Sequence, residues 1–592
     1  EKVPIEEAEI VRWSRVPAEA ALHFADRGKA RTLLELMMGR PVSLGAGREA
    51  ALWAEMRRLD DEVSALLKRR GPERLPGKEE DYDRLTRTIE EKQQRQREIE
   101  AELRRTGAWA FVEPELLKPA EFLQTLHPGE ACLEYVASEK ELIVFLVTAK
   151  GVRAFRQEIP RDAPGELREN GRPSIPKLVE AYRKAPETPQ TLGLEGLAWL
   201  QREWMDHWQN RRLSEAEHVA ISQALGQVVF PPDLRQALAA EGVKQLVIVP
   251  SRVLAFTSFG TLVVGSREGL APPRRIEECR FLVEEYSLSY VQSLSLLAPI
   301  RKRALEKLKN PAARGLLALA DPVHDENDPR ALDRPVEVQL AWAEQERAGT
   351  DAVVRGLVRD VKIAADASLG PRWDRLPETQ QEAESVAKLY GDYTKYEAPL
   401  VEIPRERKPG VVCVGYAANR PLAKSPDLGE FRHLYFGVHG YTDMTNPWLC
   451  SLMLTDLAAQ PGRRQPAPLT MADVMGLRLK AATVVLAACQ TAMGRMRTGE
   501  GVVGFQLAFL FAGADTVVLT QWEVPSGVEQ EPGGQKVYPT TDVVLGFYEG
   551  LRKGMGCAEA LRQAQLKVLR QGGRLADPFY WGAWQLFGEW RR

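Results

Sequence analysis

At 592 residues the chain is longer than one hydrophobic core usually serves, and about two to four structural units are expected. Apolar residues make up 44% and charged residues 27%, the balance of an ordinary soluble protein. Lys and Arg total 80 against 82 for Asp and Glu, and a net charge of −2 gives no electrostatic argument for nucleic acid or a membrane as partner.

Residues 6–38 read as helix, with Ala20, Ala21, Phe24, Ala25, Leu33, Leu34 and Met37 at largely three- and four-residue steps before Gly39 and Pro41. The string from Ala25 to Leu36 resembles the closing helix of a tetratricopeptide array. A single repeat cannot bury its own face, so this helix either packs on the next domain or continues repeats preceding Glu1. Leu52, Met56, Leu59, Val63 and Leu66 then form a heptad seam, continued in a second helix by Tyr82, Leu85, Ile89, Ile99 and Leu103. The turn chemistry of Gly71-Pro72 and Pro76-Gly77 between them predicts an antiparallel helical hairpin, either a brace or an arm that docks a partner.

Strands are predicted at Cys132–Val136, Leu142–Val147, Gln245–Pro250, Tyr286–Val291 and Leu316–Ala320, the last ending at Asp321-Pro322. The stretch 160–215, with Trp199, Trp204 and Trp208, reads as a partly helical insertion, and 323–374 as a long polar insertion. Further strands follow near Val411–Tyr416, Leu434–Val438, Ala482–Ala488 and Asp515–Trp522. An amphipathic helix spans Glu378–Tyr390, a buried crossover helix Gly501–Phe511, and two more helices lie within 541–570. Strands alternating with helices predict an α/β sheet covered by helices.

Six cysteines (Cys132, Cys279, Cys413, Cys450, Cys489 and Cys557) lie far apart without a CxxC pair. That spacing argues against structural zinc or a dense disulfide framework and suits a reducing cytoplasm. No apolar run is long enough to span a bilayer. There is no Walker-type loop and no paired-His metal spacing, so no cofactor is expected. Gly499-Glu500-Gly501-Val502-Val503-Gly504 matches GxGxxG, but it begins ten residues past a cysteine rather than at a strand-to-helix turn.

The chemistry concentrates at two strand ends. One apolar run stops at His439-Gly440 and another at Cys489-Gln490-Thr491, and Cys489 lies 50 residues beyond His439. In open α/β sheets sites form beyond the carboxyl ends of strands, so both residues belong on one rim if their strands are neighbours. An imidazole beside a thiol takes its proton and later returns one to a leaving amine. The backbone N–H groups of Gly440 and Cys489 would form an oxyanion hole. No third, orienting side chain is evident from spacing.

At these residues the sequence resembles the CHAT family of caspase-like cysteine peptidases, relatives of caspases and separases. The matching pieces are His439-Gly440, Ser451–Leu454, Val485–Thr491, Gly499–Gly501, Ala512–Ala514, Trp522 and Trp581–Trp584 with Gly588. Weaker matches are Val249-Pro250, Tyr290–Leu297, Leu376-Pro377 and Glu382-Ala383. The resemblance implies a mostly parallel α/β sheet built of two caspase-like halves, non-catalytic over 111–374 and catalytic over 375–592. Before them stand the end of a tetratricopeptide-like region, 1–40, and the hairpin, 41–110. It implies His439 and Cys489 as the dyad of a regulated peptidase that cuts a protein partner, in prokaryotic defence or regulated cell death. A trigger protein or complex would bind the helical N-terminal region. The alternative is an inactive caspase-like domain serving as a binding module. By analogy with caspases, Ala487, Gln521 and Glu523 line the pocket for the side chain before the cut, with Asp443 and Glu500 as rival acidic candidates; a small residue and a carboxylate there suit a basic or large side chain better than aspartate.

Overall fold

The computed structural model describes residues 17–27, 55, 59, 62, 83–88, 91–92, 94–95, 98–99, 118–137, 141–158, 168–169, 172–173, 204, 207, 213–267, 273–324, 328–331, 373–404, 408–441, 450–457, 466–487, 495–497, 501–524, 529–530 and 536–591. Cys489, Asp443 and Glu500 fall outside them, as do Phe24 beyond its backbone and most of the predicted insertions. The chain divides into two compact units, residues 31–116 and the remainder.

Within 31–116 the described residues are helical, and two ion pairs fix their direction. Arg95 meets Glu55 at 3.0 Å, while Lys92 meets Glu62. As one chain segment advances from 55 to 62 its partner retreats from 95 to 92, which is antiparallel pairing. Leu59, Leu85 and Ile99, all on the predicted seam, are buried.

In the larger unit the main strands are β1 (Glu130–Ala137), β2 (Glu141–Thr148), β3 (Gly151–Glu158), β4 (Gln245–Val249), β5 (Ser287–Tyr290), β6 (Arg314–Pro322), β7 (Tyr393–Tyr396), β8 (Gly410–Gly415), β9 (Phe431–Gly437), β10 (His439–Tyr441), β11 (Ser451–Leu454), β12 (Ala467–Thr470), β13 (Thr483–Leu486), β14 (Thr516–Thr520) and β15 (Trp584–Gly588). The main helices are α1 (Pro17–Arg27), α2 (Glu215–Val229), α3 (Leu294–Lys309), α4 (Pro377–Leu389), α5 (Phe505–Ala512), α6 (Pro539–Arg552) and α7 (Cys557–Leu569).

Twelve of these strands form one sheet, in the order β7-β8-β6-β9-β13-β14-β15-β5-β4-β1-β2-β3. The six strands from β7 to β14 are parallel throughout. β5, β4 and β1 form a second parallel run, extended by the antiparallel β2 and β3. β15 joins the two blocks: it runs antiparallel to β14 over five residue pairs and touches β5 through Phe587 and Tyr290. β6, N-terminal to the predicted 374/375 division, pairs on both edges with strands of the C-terminal half. β10, β11 and β12 make a small separate antiparallel sheet.

The central strands carry apolar residues on both faces because both faces are covered. Thr483-Val484-Val485-Leu486 pairs in register with Thr516-Val517-Val518-Leu519, and all eight are buried. On one face Tyr435, Val485 and Val518 pack with Val386, Phe547 and Leu561 of α4, α6 and α7. On the other, Phe436 meets Phe509 of α5 with ring centroids 5.6 Å apart, as strand alternation requires. α5 is shorter than predicted, since Gly501–Val503 instead pairs as a strand with Arg495–Arg497. Gly504 in an extended conformation then starts the helix. Gly513 ends it at φ 121°, where a Cβ would sit 2.4 Å from the carbonyl oxygen of Leu479, so only glycine fits the turn into β14.

α1 packs against β1, β3 and α3 of the sheet unit. Its Asp26 carboxylate accepts from the backbone N–H groups of Leu294 and Ser295, capping α3 from 268 residues away in sequence. Further along α3, Lys307 donates to the carbonyl of Ala481 at 3.0 Å and to the Asp515 carboxylate at 2.7 Å, at the starts of β13 and β14. Between them Arg301 is buried against Glu130 and Glu589. One helix thus ties the N-terminal helix to β13 and β14 of the six-strand block.

Candidate active site

β9 and β13 are adjacent and parallel, with Phe436 opposite Leu486. Their carboxyl ends therefore open on the same rim, as the sequence reading required. His439 stands three residues beyond Phe436, and Cys489 three residues beyond Leu486. Neighbouring strands lie about 4.8 Å apart.

His439 is half-buried in β10, which pairs with β11 so that His439 opposes Met453 and Gly440 opposes Leu452. Its Nε2 lies 2.7 Å from the backbone carbonyl oxygen of Asp374. A carbonyl only accepts, so Nε2 carries the hydrogen and the lone pair of the neutral ring is on Nδ1. Trp373 meets the imidazole edge to face, with ring centroids 5.4 Å apart, and His324 lies 5.0 Å away on the same measure. Burial pushes the His439 pKa below its ordinary value, while the Asp374 carbonyl, the Asp374 carboxylate and Glu523 pull it back up. His324 is pushed down to about 3, by burial first and by His439 second. It is neutral near pH 7, with Nε2 3.4 Å from the Met453 carbonyl and no partner for Nδ1 among the described residues.

The pocket candidates fall in different settings. Ala487 is half-buried; its N–H donates to the Phe436 carbonyl, and it packs on the core. Gln521 is buried, and its Oε1 accepts from Gln585 Nε2 at 3.1 Å. Glu523 is exposed, close enough to His439 to influence its charge. Between them Trp522 is fully buried, its Nε1 donating to the Phe579 carbonyl at 3.2 Å.

Several residues at this rim escaped the sequence reading. Besides Trp373, Asp374 and His324, they include Asp321 at the end of β6, fully buried and paired with Arg330 and Arg375. The signal that could have found Asp321 was available, since it closes an apolar run just as His439 does. Beneath the rim, Glu382 of α4 accepts from the Tyr435 hydroxyl of β9, and burial pushes its carboxyl up to about 7. Among the described residues no cluster of three or more His, Cys, Asp or Glu could hold a metal, and no helix is long and apolar enough to cross a membrane.

A model of the CHAT domain matches residues 219–589. Among curated proteins, tetratricopeptide repeat protein 28 of Mus musculus is 34% identical over 121 residues, which is 20% of this chain and 4% of that protein. The Homo sapiens protein of the same name is 32% identical over 121 residues, with the same coverage of 20% and 4%. The match thus spans only a small fraction of those relatives. Among solved structures, one of the Saccharomyces cerevisiae separase–securin complex aligns over 79% of this chain and 31% of that one, at 9% identity and a TM-score of 0.34. A second covers 84% and 32%, at 8% identity and a TM-score of 0.37. With the matched segment spanning more than half of its residues, this chain belongs to the CHAT domain family.

Proposed function

We propose that the chain is a regulated cysteine endopeptidase that cuts a protein partner with His439 and Cys489. The observation that carries this reading is the register of β9 and β13, whose carboxyl ends share one rim, with His439 and Cys489 each three positions further along the sequence than the Phe436–Leu486 pair. Burial supports it by favouring the neutral imidazole, the form able to accept a proton. Membership of the CHAT domain family agrees with it.

In this reading the Cys489 thiol gives its proton to Nδ1 of His439, and the thiolate attacks the scissile carbonyl carbon. The resulting oxyanion accepts from the N–H groups of Gly440 and Cys489. As the C–N bond breaks, the imidazolium returns the proton to the leaving amine, leaving a thioester. A water that has lost its proton to His439 then attacks the thioester, releasing the acid and restoring the thiol. Glu523, Asp443 or Glu500 would favour a basic side chain before the cut, with Ala487 and Gln521 completing that pocket. The setting is cytoplasmic, in defence or regulated cell death, and the helical N-terminal region takes up the triggering protein.

The test compares wild type, Cys489→Ala and His439→Ala. Each is incubated with a peptide library read by mass spectrometry, and iodoacetamide alkylation of Cys489 is followed in the two proteins that keep it. Cleavage confined to wild type is expected, with alkylation at pH 6.5 slowed roughly 100-fold in His439→Ala. Identical cleavage by all three proteins refutes the assignment.

A further inference from the structure

His439 is held by a segment that is itself gripped from below. Asp321, at the end of β6, has φ 41°, in the left-handed region that residues other than glycine seldom occupy. The register of β6 against β8 slips at this point, between Ala320 and Pro322. Such a conformation persists where its surroundings over-determine it, and here the surroundings are specific. The fully buried Asp321 carboxylate accepts from Arg375 Nε at 3.1 Å and Nη2 at 3.0 Å, and from Arg330 Nη1 at 2.9 Å and Nη2 at 3.2 Å. Arg330 also donates to the Asp321 carbonyl at 2.9 Å and to the Asp328 carboxylate at 2.6 Å. The Asp321 N–H donates to Thr379 Oγ1 at 3.0 Å, fixing the bulge to α4.

Arg375 adjoins the two residues that touch the imidazole. Asp374 offers the carbonyl that accepts from Nε2, and Trp373 packs on the ring. We propose that Asp321 is a positioning residue. By gripping Arg375 it holds the Asp374 carbonyl against His439 and keeps the ring in the Nε2–H form, with Nδ1 as the basic nitrogen. The charge-assisted ion pair suits the task, because it anchors Arg375 to a carboxylate fixed in the core. Among the described residues, the other titratable groups facing His439 are His324, which is neutral near pH 7, and the carboxylates of Asp374 and Glu523, which favour its charged form. The proposal rests on reading His439 as the base of a dyad, yet it makes a claim about the imidazole that needs no reaction to observe.

The test uses the full chain labelled with ¹⁵N-histidine. Long-range ¹H–¹⁵N correlation reports the tautomer of each ring, and His439→Gln identifies the His439 signals. The Arg375 side chain is 40% exposed, so Arg375→Gln should fold, which a thermal melt checks. Wild type should show the Nε2–H pattern, Arg375→Gln a mixture of tautomers, and Arg375→Lys, which keeps the charge, the wild-type pattern. Asp321→Asn should behave as Arg375→Gln does. In parallel, the pH profile of iodoacetamide alkylation at Cys489 should move in Arg375→Gln toward that of an ordinary thiol, slowing the reaction about tenfold at pH 6.5. An Nε2–H pattern that persists in Arg375→Gln overturns the proposal, and so does its loss to the same extent in Arg375→Lys. If instead His439→Gln leaves the Cys489 profile unchanged, the dyad reading fails while the tautomer still decides the role of Asp321.

Discussion

Glu382 offers a quantitative test of how α4 is held against the strand that delivers His439. Its carboxyl is almost wholly buried, accepts from Tyr435 and Thr541, and is pushed by burial from 4.5 up to about 7. A group that binds its proton more tightly when folded stabilises the fold while both states are protonated. The unfolded chain releases that proton from about pH 4.5 upward, whereas the folded chain keeps it until about pH 7, so stability falls across that window. At about 1.4 kcal/mol for each pKa unit, the loss from this residue is about 2–3 kcal/mol between pH 5 and pH 8. Glu382→Gln keeps an oxygen to accept from Tyr435 but cannot ionise. Urea titrations of both proteins at pH 5 and pH 8 should show the variant gaining about 2–3 kcal/mol on wild type as the pH rises. Parallel pH curves for the two proteins would refute the reasoning.

Two further substitutions probe the same machinery. At Gly437, the last residue of β9, an added Cβ would sit 2.7 Å from the Tyr435 hydroxyl oxygen and 2.8 Å from Thr379 Cβ. Gly437→Ala should lower stability by about 1–3 kcal/mol in urea titration and slow Cys489 alkylation, and a change below about 0.5 kcal/mol would show that α4 yields freely there. Asp26→Ala should lower stability by about 1 kcal/mol and speed hydrogen exchange of the Leu294 and Ser295 amides about fivefold. Unchanged exchange at those two amides would mean that the carboxylate does not cap α3.

The parts of the fold set by local pattern were legible in the sequence. Val484, Val485 and Leu486 form an apolar β-branched run that is buried on both faces wherever it lies, and its end is marked by the small residues that follow. The same logic brought His439 to a strand end. What surrounds His439 was not legible, because it depends on β6 lying between β8 and β9, an order that no spacing encodes. Asp321 and Arg375 meet across 54 residues, much of that interval being polar sequence without a periodic pattern. Gln521 shows a different limit. Its position beside Trp522 suggested a pocket wall, but its partner Gln585 comes from a strand 64 residues later that the sequence reading did not identify as one.

That strand, β15, has a consequence for synthesis on the ribosome. It lies between β14 and β5, which are separated by more than 200 residues of chain, yet its own residues are translated after both. Until residues 584–588 emerge, each block carries an open sheet edge with unpaired backbone N–H and C=O groups. Strand pairing of this kind cannot be completed in the order of translation, so the two blocks must each hold their shape while waiting for the strand that seals them. The unfinished edges would be the natural targets of a chaperone during synthesis, and the point at which a truncated product would aggregate.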